Sequence, residues 1–319
     1  MNGLRENAIW GAIAAITIAV VVVFLPIAFG VMPNRFFDYS CSASRAFGSQ
    51  FGCYRFLWNT VTTGVFIGIL GPIIGMFLVH REMALIGETL AHTAFAGVAF
   101  GTLIIGAAGW DVRLLLIAIV VAVLGALGVQ VLADRTDSYG DVPIAIMLTG
   151  SFAVGTLFID LGGGFAFVDI NSYLFGNIAI TDERSVTLMA VLTLAVVLTV
   201  IAFYKPLLYI TFDEEVAQVA RFNVSRYNGL LVVLTALVIV GAMQILGVIL
   251  VAAMLVVPVA AASLLVNSFQ QAMYTSVAIG VFSVLSGISV SWIHELRPGA
   301  TIVVIAICVY LISAYLSGK

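Results

Sequence analysis

From Gly229 to Val266 the chain reads GLLVVLTALVIVGAMQILGVILVAAMLVVPVAAASLLV, 38 residues without a charge. A helix needs ~20 apolar residues to cross ~30 Å of hydrocarbon, so the run is too long for one span and slightly short for two. Gln244 with Gly247 marks the place to turn. This predicts a tight hairpin whose first arm stops short of the far face. The rest of the chain is of the same kind: 319 residues, 62% hydrophobic, 9% charged, with a mean hydropathy of +1.19. That composition excludes a soluble domain. The apolar runs are continuous and show no alternation of period two, so helices are expected and a barrel is not.

The fold class is therefore all-α, a polytopic membrane helical bundle of about eight to ten spans. Hydropathy places them at 8–32, 56–79, 83–107, 112–133, 142–160, 185–204, 228–243, 246–266, 271–292 and 299–316. The first run is too long for a typical signal segment and has no small-residue cleavage site after it, so it is taken as a retained span. The segment 161–183, opening with Gly162-Gly163-Gly164, is apolar but broken, and is expected to form a short helix or re-entrant piece. If both termini are cytoplasmic, seven of the 13 Arg and Lys fall inside, which weakly favours that orientation. One transmembrane domain, 1–319, is expected, with 1–55 as an extra N-terminal span and loop.

The longest polar segment, Pro33 to Arg55, carries Cys41 and Cys53. They suggest a disulfide if that loop faces an oxidising compartment, and otherwise stand as two free thiols. Cys308 lies in an apolar run and is assigned to packing. With Lys205 and Lys319 as the two lysines and no basic patch, nucleic-acid binding has no support. No Gly-x-x-x-x-Gly-Lys-Ser/Thr occurs, so the chain does not bind and split ATP in the P-loop manner. Energy must come from a partner or an ion gradient.

Within the apolar third span, Leu85-Ile-Gly-Glu88-Thr-Leu-Ala-His92 places a carboxylate and an imidazole four residues apart, on one helix face and ~6 Å apart along its axis. Ionisable groups at that depth are costly and mark a route for an ion or proton, unless the pair merely ties two helices together. An oxygen and an imidazole nitrogen also suit a divalent transition metal. Weaker metal or pathway candidates are Asp169 and Tyr173 near the outer face, which read equally as a helix-capping Asp and an interface Tyr, Asp141, which also reads as a cap for the fifth helix, and the outer pair His294-Glu295. That pair does not begin a zinc-protease motif, because Pro298 stands where the second His is needed.

Between spans six and seven, Thr211-Phe-Asp213-Glu214-Glu215-Val-Ala217-Gln-Val-Ala-Arg221-Phe-Asn-Val224 reads as an amphipathic helix. Thr211 or Asp213 caps it, and its acidic first turn suits the positive end of the helix dipole. Consecutive acids are repelled by an anionic leaflet, so docking to a cytoplasmic protein partner is favoured over lying on lipid.

From about Trp58 to the C terminus the chain resembles the membrane permeases of ATP-binding-cassette importers for zinc, manganese and iron, the ABC-3 family. The resemblance rests on Arg81-Glu-Met-Ala-Leu-Ile-Gly87-Glu88-Thr-Leu-Ala-His92-Thr-Ala-Phe-Ala-Gly97, Asp169-Ile-Asn-Ser-Tyr173-Leu-Phe175-Gly176, Phe212-Asp-Glu-Glu215, Gly247 to Pro258, and Gly299-Ala-Thr-Ile302, in the family's order. It implies a group-II-importer-like fold over 56–319 and no permanent cofactor, the metal being cargo. It also implies a homodimer, a cytoplasmic ATPase dimer docking on 211–224 through Phe212, Asp213, Glu214, Glu215, Ala217 and Arg221, and an extracytoplasmic metal-binding protein. Glu88 stands where Asp is common, Arg221 where Gly is usual, and Arg297-Pro298 where Pro-Ser is usual. Arg221 therefore leaves open whether the docking helix runs on past its usual stop. The Thr89-Leu-Ala-His92 form looks more like zinc permeases, so zinc is expected, with manganese or iron as the alternative. Rivals outside that reading are a proton-coupled transporter using Glu88 and His92 as a relay, and a permease for a chelated iron complex or cobalamin.

Overall fold

The computed structural model describes residues 34–46, 51–108, 114–135, 142–162, 174–176 and 183–318, with Phe24, Pro26, Ala28 and Ser172 as isolated positions. The described elements are helical, in the order α1 (Asn34–Ala46), a 3-10 turn (Phe51–Cys53), α2 (Arg55–His80), α3 (Ala84–Ala108), α4 (Leu114–Arg135), α5 (Val142–Leu161) and α6 (Glu183–Ala202). Then follow α7 (Tyr204–Phe212), α8 (Glu214–Val219), α9 (Val224–Leu246), α10 (Val248–Leu265), α11 (Phe269–His294) and α12 (Pro298–Ser317). Among the described residues, seven helices are long and apolar enough to cross a membrane, and Leu116–Val129 and Val251–Leu265 are shorter apolar helices. Together they occupy every expected span after the first. That first span, 8–32, lies outside the described residues apart from Phe24, Pro26 and Ala28.

α2 is the centre of the bundle, 94% buried along its most apolar window. It crosses α11 where Gly68 and Gly280 face each other, and α10 where Gly75 faces the Leu255 carbonyl. Without side chains at these points the backbones approach closely, as apolar helices in lipid require.

The ends of the bundle follow from contacts. At one end His80, Phe212 and Phe269 meet. At the other, Tyr54, Phe56 and Trp292 form an aromatic cluster of the kind found at membrane interfaces. Arg81 holds Asn228 near the start of α9, and Met76 and Val79 pack with Val259 and Val266 at the end of α10. The chain therefore leaves and returns to one end, reversing at Gly247, whose φ of 78° suits glycine. The expected short first arm is corrected. Asn223 accepts a hydrogen bond from the Arg226 backbone and starts α9 at Val224, so that arm has 23 residues and full spanning length.

The polar segment expected as a loop is also corrected, because 34–46 forms helix α1. It is stitched to the start of α2 by the Cys41–Cys53 disulfide, by Ser40 donating to the Gly52 carbonyl, and by Arg55 over the Phe37 ring.

Candidate functional site

α3 and α5 run parallel, with α4 returning between them. Thr89 donates to the Ile144 carbonyl, the Thr93 and Ser151 hydroxyls lie 3.1 Å apart, and Phe100 meets Phe158, so residue numbers rise together along both helices. Close packing is again made by glycine. A side chain on Gly125 would strike Thr93, and one on Gly155 would strike Phe95. These contacts fix the rotation of α3 and decide which residues it leaves uncovered.

Leu85 and Glu88 are exposed and His92 is half-buried, a stripe of helical spacing along the first half of α3. From Thr93 to Ala99 the same helix is fully buried. The His92 ring stands edge-on to Phe152 of α5, at 5.1 Å. Its Nδ1 is buried and has no hydrogen-bond partner within the described structure. A buried ring nitrogen without a partner is costly, and within one copy this atom is closed to solvent. Beside it, one turn closer to the end that carries Phe212, lies the Glu88 carboxylate. The pair offers one oxygen and one nitrogen, and among the described residues no group of three or more His, Cys, Asp or Glu assembles to complete a metal site.

Of the other candidates, those among the described residues do not join them. His294 and Glu295 are exposed at the opposite end, next to the Trp292 cluster. Glu295 is left-handed (φ 53°) and closes α11, with the Leu296 backbone donating back to the Ser291 carbonyl. Asp141, Asp169 and Tyr173 lie outside the described residues, as does most of 161–183. Asp160, exposed in the last turn of α5, is a carboxylate that sequence reading passes over, because an acid closing an apolar run reads as a span end.

The segment 211–224 is not one helix, which corrects the expectation. Thr211 donates to the Leu207 carbonyl within α7 and caps nothing. Asp213 takes an extended conformation and accepts from the backbones of Glu215 and Val216, so it is the cap and α8 starts afresh at Glu214. α8 ends after six residues. The Phe222 and Arg221 N–H groups donate back to the Ala217 and Gln218 carbonyls, with Arg221 left-handed at φ 63°. This is the double-bonded helix stop that usually takes glycine, and the structure keeps it with arginine in place. Ala217 is buried, while Phe212, Val216 and Val219 are 62%, 48% and 85% exposed beside the acids Asp213, Glu214 and Glu215.

Sequence reading missed what Arg81 does. Its side chain is 6% exposed and donates to Glu214 at 2.8 Å and to Asn228 at 2.7 Å. The available signal was an arginine between two apolar spans in a chain with an acidic segment elsewhere.

A bundle of apolar helices, one of which presents an exposed carboxylate a turn away from a half-buried imidazole, has the make-up of a membrane permease. The chain belongs to the ABC 3 transport family, whose model matches residues 53–317. It is 33% identical over 273 residues to the manganese transport system membrane protein MntC of Halalkalibacterium halodurans, covering 86% of this chain and 91% of that one. It is 24% identical to the high-affinity zinc uptake system membrane protein ZnuB of Haemophilus influenzae, covering 82% of this chain and 98% of that one. Among solved structures, PsaBC from Streptococcus pneumoniae in complex with Fab superposes with a TM-score of 0.73 at 30% identity, covering 82% of this chain and 91% of that one.

Proposed function

We propose that this chain is the permease subunit of an ATP-driven importer of a divalent transition-metal ion, working as a homodimer in the cell membrane with both termini cytoplasmic. The observation that carries the reading is the stripe of α3 left uncovered by its neighbours, which presents the exposed Glu88 carboxylate one turn from the half-buried His92 ring. One copy supplies two ligands. A second copy across a two-fold axis would supply two more, giving two carboxylates and two imidazoles, a donor set that both zinc and manganese accept. Such a site assembles and comes apart as the copies move, which transport requires, since an ion held too tightly cannot leave.

The segment from Phe212 to Arg221 is the docking surface for the ATPase: its exposed Phe212, Val216 and Val219 are costly to leave facing water, and its acids stand ready to pair with basic groups on the partner. An extracytoplasmic metal-binding protein would deliver the ion at the opposite end, where His294 and Glu295 stand. Zinc is supported by the form of Thr89–His92 and manganese by the more similar relatives, so zinc has no advantage over manganese. A proton-relay transporter explains Glu88 and His92 but leaves the acidic docking segment without a role.

The test is metal-stimulated ATP hydrolysis by the reconstituted complex with zinc, manganese and iron. His92→Ala and Glu88→Ala should each lose at least tenfold of the stimulation while the complex still assembles. An unchanged metal response in both variants overturns the site.

A further inference from the structure

The docking segment and the helix carrying Glu88 and His92 are joined through one buried cation. Arg81 follows the last residue of α2, and its Nη2 donates to the Glu214 carboxylate of α8 and to the Asn228 side chain of α9. Burial pushes the guanidinium below its ordinary range, while the hydrogen bond and charge of Glu214 pull it back up. Beside this polar link Phe212 touches His80 and Phe269, so a second, aromatic contact ties the same two pieces of chain.

The turn that follows is short and braced. Glu82 is left-handed at φ 57°, its N–H donates to the Val79 carbonyl, and that of Met83 to Leu78. α3 begins two residues later, with Ile86 bonded back to Met83. Arg81 therefore cannot shift without carrying the start of α3, and Glu88 lies four residues beyond Ala84, ~6 Å along the helix.

We propose that Arg81 is a positioning residue, a strut that passes displacement of the α8 docking segment to the helix bearing Glu88 and His92. The proposal rests on the permease reading above. A mere clamp on α9 would need Asn228 alone. The strut differs in that it also grips an acid on the half-exposed helix that meets the ATPase. The coupling is carried by a contiguous chain of hydrogen bonds and backbone, the kind of path that transmits a two-state change.

The experiment uses the complete complex in liposomes and measures ions moved per ATP hydrolysed, with zinc and with manganese, for Arg81→Gln, Arg81→Lys, Glu214→Gln and the double variant Arg81→Gln/Glu214→Gln. Arg81→Gln should still assemble and hydrolyse ATP, but move roughly tenfold fewer ions per ATP. Arg81→Lys should recover about a third of the lost ratio, since an ammonium pairs with Glu214 but lacks the planar fork. Glu214→Gln should lose roughly threefold, and the double variant should be no worse than Arg81→Gln. An unchanged ratio in Arg81→Gln, or losses that multiply in the double variant, overturns the strut. If Arg81→Gln fails to assemble, the ratio for Glu214→Gln decides instead. A wild-type complex whose ATPase ignores metal overturns the permease reading. A responsive wild type with an indifferent Arg81→Gln overturns the strut alone.

Discussion

The His92 imidazole stands edge-on to the Phe152 ring, with the planes at 86° and 5.1 Å between centroids. This arrangement points a ring edge at a ring face and holds the imidazole in one orientation. Phe152→Leu should keep the fold and the Glu88–His92 spacing but free that rotation. The expected outcome is a three- to tenfold weaker metal stimulation of the ATPase, read as a higher metal concentration at half-effect, with ATP hydrolysis in the absence of metal unchanged. Equal half-effect concentrations for Phe152→Leu and wild type would show that Phe152 does not orient the ligand.

Glu88→Asp should test how the longer arm matters. Aspartate keeps the charge and shortens the reach by one methylene. Metal stimulation should persist, with the order of preference among zinc, manganese and iron altered, since carboxylate reach sets ligand geometry. A response that disappears as completely as in Glu88→Ala would show that the position, not the charge, is what the ion requires.

Much of this fold is legible because hydropathy is a property of each residue taken alone. The uncharged run 229–266 splits at Gly247, and Asp213 caps α8 as its side chain suggests. What escaped depends on contacts distant in sequence or on backbone stops that outweigh propensity. Arg81 and Asn228 are 147 residues apart, and no local pattern announces their bond. Arg221 is a good helix former, yet the Phe222 and Arg221 backbone bonds end α8 before it. α1 was hidden because its polar composition resembles a loop, and its helix is fixed by the disulfide and the Gly52 carbonyl. The spacing of Glu88 and His92 was plain. That one is exposed and the other half-buried required the packing of α3 on α5.

The left-handed Arg221 carries a testable cost. A side chain in that region costs ~1–2 kcal/mol, part of which glycine would return as chain entropy on unfolding. Arg221→Gly should therefore stabilise the isolated permease by roughly 0.5–1 kcal/mol, and Arg221→Val should destabilise it. Thermal unfolding in detergent measures both. Equal midpoints for the glycine and valine variants would show that the residue is not left-handed in solution.

Gly75 tests the packing at the centre of the bundle. A Cβ there would strike the Leu255 carbonyl, and backbone cannot swing aside as a side-chain tip can. Gly75→Ala should push α2 and α10 apart and cost roughly 1–3 kcal/mol, read as a lower unfolding midpoint in detergent. Gly128 is the matched comparison, since an added methyl meets the flexible tip of Met147 at 3.5 Å, an ordinary contact. Gly128→Ala should be neutral or gain up to ~1 kcal/mol from helix propensity. If the two variants unfold alike, the α2–α10 crossing is looser than the close approach of Gly75 to Leu255 implies, and the rigid centre that positions α3 would have to lie elsewhere.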